Sequence, residues 1–189
     1  LAMITQDNLN NFGMVVRLIE QSTGDPVGLD VAAALPAGVT PVDMLWSHIV
    51  FPGSLLVLDG DFFVHKFLVS YDANNQLVLT APAGGLGVFG PYGDPDDPGD
   101  GAPTSLAEAP SFFLAIGTTT GKLILDDGSG TFTANPIAMG PIADLAVVPQ
   151  LGYFAIVMLV TEKFPGDSKI VGVLPDGDHR PGLERRRQA

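Results

Sequence analysis

The sequence predicts an all-β fold built from stacked sheet units, and three observations support this prediction. Short apolar runs rich in β-branched and aromatic residues alternate with turns along the chain. The 189 residues include 23 glycines and 16 prolines, which interrupt helices and mark frequent turns. The acidic residues are 17 Asp against 4 Glu, a bias that favours turns over helices. The apolar content of 46% is sufficient for one domain with a sizeable core.

A block of two apolar strands, opened by proline and followed by a turn rich in Gly, Asp and Asn, recurs along the chain. The three copies, the middle one degenerate, cover residues 41–46 with 54–59, 103–106 with 111–116, and 141–148 with 153–159. Internal repetition of this kind indicates supersecondary units that bury their apolar faces against one another.

The chain divides into a polar lead-in at 1–13, a single β domain at 14–174 and a flexible Arg-rich tail at 175–189. Within the domain the pattern predicts three strands before Gly38, four between Pro41 and Thr80, four between Pro103 and Gly140, and three after Pro141. These boundaries predict sheets of about four strands each.

Three segments of the domain have local patterns that predict something other than a plain strand. The Asp72-Ala73-Asn74-Asn75 turn predicts a tight hairpin, because Asp and Asn accept the positive φ values that such turns require. A helical turn competes with a strand at 32–35. Residues 81–104 are mostly Gly, Pro and Asp and predict a long surface loop. A loop of this length in a compact domain points to function or mobility.

About a third of the chain is similar to a known family of repeats. The closest stretch covers residues 113–118, 128–132 and 143–147, and it resembles β-propeller repeats of the FG-GAP or VCBS type. The resemblance implies propeller-like antiparallel four-stranded units, with a β-sandwich as the alternative fold. The calcium-binding turn of these repeats survives only as Asp126, Asp127 and Ser129. Some three and a half units would need a second copy or another chain to close a ring.

Net charge restricts the classes of partner. The formal charge is −12, and four of the nine basic residues lie in the tail. A body this acidic repels a phosphate backbone, so nucleic acid and anionic membranes are excluded as its partners, whereas cations and basic proteins are attracted. No apolar run reaches the length of a membrane span.

The absence of cysteine from the sequence excludes disulfides, thiolate zinc sites, iron–sulfur ligation and cysteine nucleophiles. The first residue is Leu1 rather than Met, which indicates either processing or a boundary within a longer chain. Processing would favour an extracytoplasmic location, periplasmic, secreted or at the cell surface.

Oxygen ligands for a hard cation occur in two places. The long loop contains Asp94, Asp96, Asp97 and Asp100, and the spacing suits the flexible coordination of Ca²⁺. Interrupting prolines favour the alternative of a solvated acidic loop. The remnant turn adds Asp126 and Asp127. The sequence therefore predicts either no cofactor or Ca²⁺.

Two histidines, His48 and His65, lie in predicted ordered structure with acidic residues nearby, and a histidine–carboxylate pair can act as a general base. Because no nucleophile elbow or metalloprotease motif accompanies them, a structural role is the favoured interpretation. The G-x-G-x-x-G pattern at 85–90 is accidental, since the prolines after it are incompatible with the helix that a dinucleotide site needs.

Phe89 and Tyr92 lie in the Gly-rich loop without a local strand to bury them, so they are candidates for anchoring a partner, with collapse onto the domain as the alternative. The sequence therefore predicts a non-enzymatic protein-interaction or assembly module, a subunit of a larger extracytoplasmic complex with a protein partner or a second copy of itself. The alternative is a Ca²⁺-dependent propeller hydrolase or lactonase.

Overall fold

The structure is a computed structural model that describes residues 2–7, 13–18, 32–75, 77–81, 87–109, 112–129, 132–136, 140–150, 153–161, 168–173 and 185–186. In these residues the secondary structure is strand and turn, with no helix. Neighbouring strands in every sheet are antiparallel. The predicted all-β fold is confirmed.

The first two sheets come from the amino-terminal half of the chain. The first has the order β1 (Ala2–Asp7), β2 (Gly13–Leu18) and β3 (Ala32–Ala34). The second has the order β4 (Pro41–Ser47), β5 (Ser54–Asp59), β6 (Val64–Tyr71) and β7 (Leu77–Thr80), and β8 (Val88–Phe89) pairs with β6. Thus part of the predicted polar lead-in forms a strand, and the segment in which a helical turn competed is strand β3.

The last two sheets come from the carboxy-terminal half. The third has the order β12 (Phe132–Pro136), β11 (Lys122–Asp126), β10 (Phe112–Thr118) and β9 (Pro103–Ala109). The fourth has the order β13 (Ile142–Gln150), β14 (Tyr153–Thr161), β15 (Ser168–Val173) and β16 (Arg185–Arg186). Strand β16 lies within the predicted tail.

The hairpin between β6 and β7 forms where the sequence predicts it. The Asp72 carboxylate accepts a hydrogen bond from the backbone N–H of Asn74 at 2.9 Å, and the Asp72 carbonyl accepts one from Asn75 at 3.0 Å. Asn75 has a φ of 60°, a left-handed conformation that asparagine tolerates. The chemistry of these turn residues therefore determines the reversal.

The three repeated blocks share one irregularity, a β-bulge in the strand that comes first along the chain in the second, third and fourth sheets. The register skips one residue between Pro41 and Asp43 in β4, between Pro103 and Ser105 in β9, and between Ile142 and Asp144 in β13. The bulge makes Asp43, Ser105 and Asp144 equivalent positions. By this register the residue of the third copy that is equivalent to Pro41 is Ile142. The sequence repeat instead places Pro141 at that position, one residue earlier.

The three bulged strands lie side by side, with β9 between β4 and β13. Asp43 bridges two of them, because one carboxylate oxygen accepts the N–H of Met44 at 2.7 Å and the other that of Leu106 at 2.8 Å. Burial raises the pKa of Asp43, opposed by these two hydrogen bonds. Asp144 accepts the N–H of Leu145 at 2.8 Å, repeating the local half of this pattern.

Strand β5 separates two apolar clusters and is buried along its whole length. Because side chains of a strand alternate between faces, Leu56 and Leu58 face one cluster while Leu55 and Val57 face the other. The first cluster joins β5 to the third sheet and the second joins it to the first sheet. Burial on both faces explains why β5 has a continuous apolar sequence.

Candidate functional site

The segment 87–104 crosses the scaffold and is attached to it at several points. Strand β8 pairs Val88 with His65 and Phe89 with Val64, and the backbone N–H of Tyr92 donates to the carbonyl of Phe62 at 3.1 Å. A Cβ added at Gly90 would lie 2.7 Å from that same carbonyl oxygen, so only glycine permits this close approach. The described part of the predicted surface loop therefore includes a short strand.

Tyr92 and Asp126 form a buried polar pair in this region. The Tyr92 hydroxyl donates to Asp126 Oδ2 at 2.8 Å, and the backbone N–H of Gly128 donates to Asp126 Oδ1 at 2.8 Å. Burial, reinforced by the Asp126 carboxylate, raises the pKa of Tyr92 far above its usual range. The hydroxyl therefore remains protonated and acts as a hydrogen-bond donor.

One aromatic ring contacts this pair, and an aromatic stack lies in the same region. The Tyr92 ring meets Phe132 edge to face, with centroids 6.0 Å apart and an interplanar angle of 77°. Phe89 stacks on Phe51 with centroids 5.0 Å apart, and Lys66 Nζ lies 4.5 Å from the Phe51 centroid and 5.7 Å from that of Phe89. The chain thus already places one of its own cations against this aromatic stack.

A cavity of about 280 Å³ opens between the 87–104 segment and the turn after β11. Its lining includes Phe89, Pro91, Tyr92, Asp126 and Phe132. Two groups of residues that the sequence singled out separately, the aromatics of the long loop and the remnant acidic turn, therefore meet in one place. This cavity is the candidate functional site.

Phe89 is half-buried and Tyr92 is only 6% exposed, so Tyr92 packs within the chain, as the collapse alternative describes. Their role in partner binding stays a prediction. Asp127, the neighbour of Asp126, is exposed and its carboxylate accepts hydrogen bonds from the N–H and the hydroxyl of Ser129 at 2.8 and 2.6 Å.

The four aspartates at 94–100 form an acidic turn that is exposed except at the partly buried Asp100, and three of their carboxylates accept backbone hydrogen bonds. Asp94 accepts the N–H of Asp96 at 2.9 Å, Asp97 that of Gly99 at 2.8 Å, and Asp100 that of Asp94 at 3.1 Å. In the described ranges no three His, Asp or Glu side chains are grouped as metal ligands would be. Ca²⁺ binding here would require these carboxylates to leave their present hydrogen bonds.

The acidic turn is held to the third sheet by Lys122 and by the β10–β11 turn. Lys122 Nζ lies 2.6 Å from Asp100 Oδ1. The Thr120 hydroxyl donates to the carbonyl of Asp100 at 2.9 Å, and the Ala102 N–H donates to the Thr119 hydroxyl at 2.9 Å. These contacts fix the base of the turn and leave residues 94–98 exposed.

Replacing Lys122 with methionine is expected to raise the pKa of Asp100 back toward its ordinary range, because the hydrogen bond from Lys122 is the main cause of its lowered pKa. A carboxyl with a depressed folded-state pKa contributes stability above its unfolded pKa and loses it as the pH falls through the folded pKa. A carboxyl ¹³C NMR titration measures the change. Lys66→Met is the control, and an unchanged Asp100 pKa in Lys122→Met would contradict the assignment.

The two candidate histidines lie in different environments. His65 is buried, and its Nε2 lies 2.7 Å from Asp59 Oδ2, while Asp59 Oδ1 accepts the N–H groups of Asp61 and Phe63 at 2.9 Å each. This arrangement joins β6 to the β5–β6 turn. His48 is exposed, and its backbone N–H donates to the Glu108 carboxylate. A general-base role for either one stays a prediction.

Glu108 is a polar anchor that the sequence reasoning missed. It is buried on β9, and its carboxylate accepts hydrogen bonds from the Ser47 hydroxyl at 2.6 Å, from the Ile49 and Val50 N–H groups at 3.1 and 3.3 Å, and from His48. A second cavity, of about 310 Å³, lies beside it and is lined in part by Trp46 and His48. The sequence feature that could have indicated this anchor is the occurrence of a glutamate, a rare residue in this chain, within a predicted strand.

The sequence matches no protein-family model, and a search of curated proteins finds no match. Among the residues that the structure describes, no helix is long and apolar enough to cross a membrane.

Proposed function

We propose that this protein is a non-enzymatic protein-interaction module, a subunit of a larger extracytoplasmic complex, which presents the acidic turn at 94–98 and the neighbouring cavity to a protein partner. The observation that carries the proposal is the attachment of this turn. Lys122, Thr119 and Thr120 hold its base, while its tip stays exposed. A preorganised surface loses less conformational freedom on binding than a flexible loop does.

The scaffold in this proposal consists of propeller-like units of the FG-GAP or VCBS type. Support comes from the shared bulge at Asp43, Ser105 and Asp144 and from the side-by-side arrangement of β4, β9 and β13. Radial repetition would place equivalent strands next to one another in this way. Sheets of this kind present their connecting segments as binding surfaces.

Net charge distinguishes between the two partners that the sequence predicts, another protein and a second copy of this chain. Two copies that each carry a net charge of −12 repel one another, and the repulsion is strongest where two acidic turns would meet. A basic protein is attracted to the same surface, which raises its association rate and favours it over neutral competitors. The partner is therefore a basic protein.

The test removes charge from the turn without removing its hydrogen-bond acceptors. Deletion of the whole loop is unsuitable, because it would also remove the buried Tyr92. Replacing Asp94, Asp96 and Asp97 by asparagine keeps an oxygen at each position and neutralises three charges. The matched control neutralises three exposed aspartates elsewhere, Asp61, Asp72 and Asp144, again by asparagine.

Each tagged chain is expressed in the cells that naturally produce the protein, and its native size is measured by blue-native electrophoresis. We expect the wild type and the control to migrate in an assembly far larger than 19.7 kDa, and the turn variant to migrate as the free chain. Wild-type protein at monomer size, or a turn variant that stays in the assembly, would overturn the proposal.

A further inference from the structure

The lining of the 280 Å³ cavity includes the buried carboxylate of Asp126. Asp126 is only 5% exposed, and in the described part of the chain no basic nitrogen lies within ion-pair distance of its carboxylate. A buried carboxylate is costly unless charge or hydrogen bonds compensate it. Asp126 has one hydrogen bond on each oxygen, which leaves about two of its four lone-pair positions for a further donor.

The walls of the cavity suit a cation. Phe89, Tyr92 and Phe132 line it, and Phe132 is 43% exposed. Aromatic faces attract a cation placed within about 6 Å of the ring centroid, and the attraction grows when water is excluded. Elsewhere on the same stack, Lys66 Nζ lies over the ring of Phe51, the stacking partner of Phe89, so an ammonium group of the chain itself already contacts these aromatic rings.

The acidic residues near the cavity also favour a cationic ligand. The exposed acidic turn at 94–98 belongs to the segment that forms one wall, and exposed Asp127 follows Asp126 directly. An anion entering the cavity would meet the buried carboxylate and the net charge of −12, whereas a cation is attracted by both. A neutral apolar ligand would leave the remaining lone pairs of Asp126 without donors.

We propose that this cavity binds the ammonium group of a lysine side chain from the basic partner protein. The ammonium donates to the free lone pairs of Asp126, and its alkyl stem packs against Phe89 and Phe132. Tyr92 positions the carboxylate through its hydroxyl. This inference rests on the proposed function and deepens it, because it names the chemical group of the partner that the module recognises.

The test uses purified protein and a small probe, so it does not depend on assembly in cells. The probe is Nα-acetyl-lysine-N-methylamide, followed by ¹H–¹⁵N NMR at the Gly128 amide, which donates directly to Asp126. We expect saturable shifts with a Kd on the order of 1 mM. The Nε-acetylated probe has lost the charge and should leave the Gly128 signal unmoved.

Two variants locate the binding. Asp126→Asn keeps the size of the side chain and should weaken binding by at least about tenfold, because the charged acceptor is lost. Asp72→Asn makes the same charge change at an exposed aspartate outside the cavity lining and should alter the Kd by less than about twofold. Phe132→Leu, which replaces an exposed wall, should weaken binding by about threefold.

Absence of saturable binding, or equal binding by wild type and Asp126→Asn, would overturn the inference. Tighter binding of an arginine analogue would overturn the choice of lysine, and much tighter binding of free n-butylammonium would overturn its origin in a partner protein. The turn variant in the cell experiment retains Asp126, so failure of the proposed function and failure of the cavity assignment are distinguishable.

Discussion

Replacing Glu108 with alanine is expected to lower the free energy of unfolding by about 3 kcal/mol. Glu108 is 6% exposed, and its carboxylate accepts hydrogen bonds from the Ser47 hydroxyl and from the N–H groups of three successive residues, 48–50. Removing it leaves these donors without their acceptor, and donors to a charged acceptor are the expensive ones to orphan. Urea unfolding monitored by circular dichroism measures the loss.

Glu108→Gln refines this expectation, because its amide keeps one acceptor but brings an NH₂ donor toward backbone donors. We expect its free energy of unfolding to fall by about half as much as that of the alanine variant. Asp61→Ala, which removes an exposed carboxylate, is the control and should change stability by less than about 0.5 kcal/mol. A loss below about 1 kcal/mol in Glu108→Ala would mean that water replaces the carboxylate.

Replacing Phe62 with alanine is expected to lower the free energy of unfolding by about 4 kcal/mol, more than any other substitution proposed for this protein. Its side chain is fully buried in the cluster formed by β5 and the third sheet, and its ring lies directly beneath Gly93. The substitution leaves a cavity under the 87–104 segment. Because the backbone φ of 63° is unusual for either residue, the side chain accounts for most of the difference.

Guanidinium unfolding measures this loss, and Phe132→Ala is the control. Phe132 is 43% exposed, so its truncation should cost about 1 kcal/mol. The Phe62 variant should also perturb the amide of Tyr92, which donates to the Phe62 carbonyl. Equal losses in the two variants would contradict the view that Phe62 is the central support of the candidate site.

The sequence was sufficient for the fold class, because strand and turn signals are local. The continuous apolar run of β5 follows from its burial on both faces, and the Asp72-Ala73-Asn74-Asn75 turn carries its own hydrogen-bond acceptor. The β-bulges of the repeats could not be predicted from the sequence. A register shift depends on pairing across strands, so the prolines placed the third copy one residue away from its aligned position.

The candidate site was predictable only in fragments. The sequence singled out Phe89, Tyr92 and Asp126 for separate reasons, but their meeting depends on a contact between residues 34 apart in the chain. The Glu108 anchor joins residues about 60 apart and has no local signature. Periodicity indicates which face a side chain occupies, whereas the identity of its distant partner is decided by tertiary packing.

The burial of Tyr92 has a consequence for protein engineering. The segment between the second and third sheets contributes the Tyr92 side chain to the apolar cluster that joins β5 to the third sheet. A graft or tag that replaces the whole segment would therefore damage the interior of the domain. The permissive window is the acidic tip at 95–98, where a foreign epitope would be displayed on a stem already fixed by Tyr92 on one side and by Asp100 with Lys122 on the other.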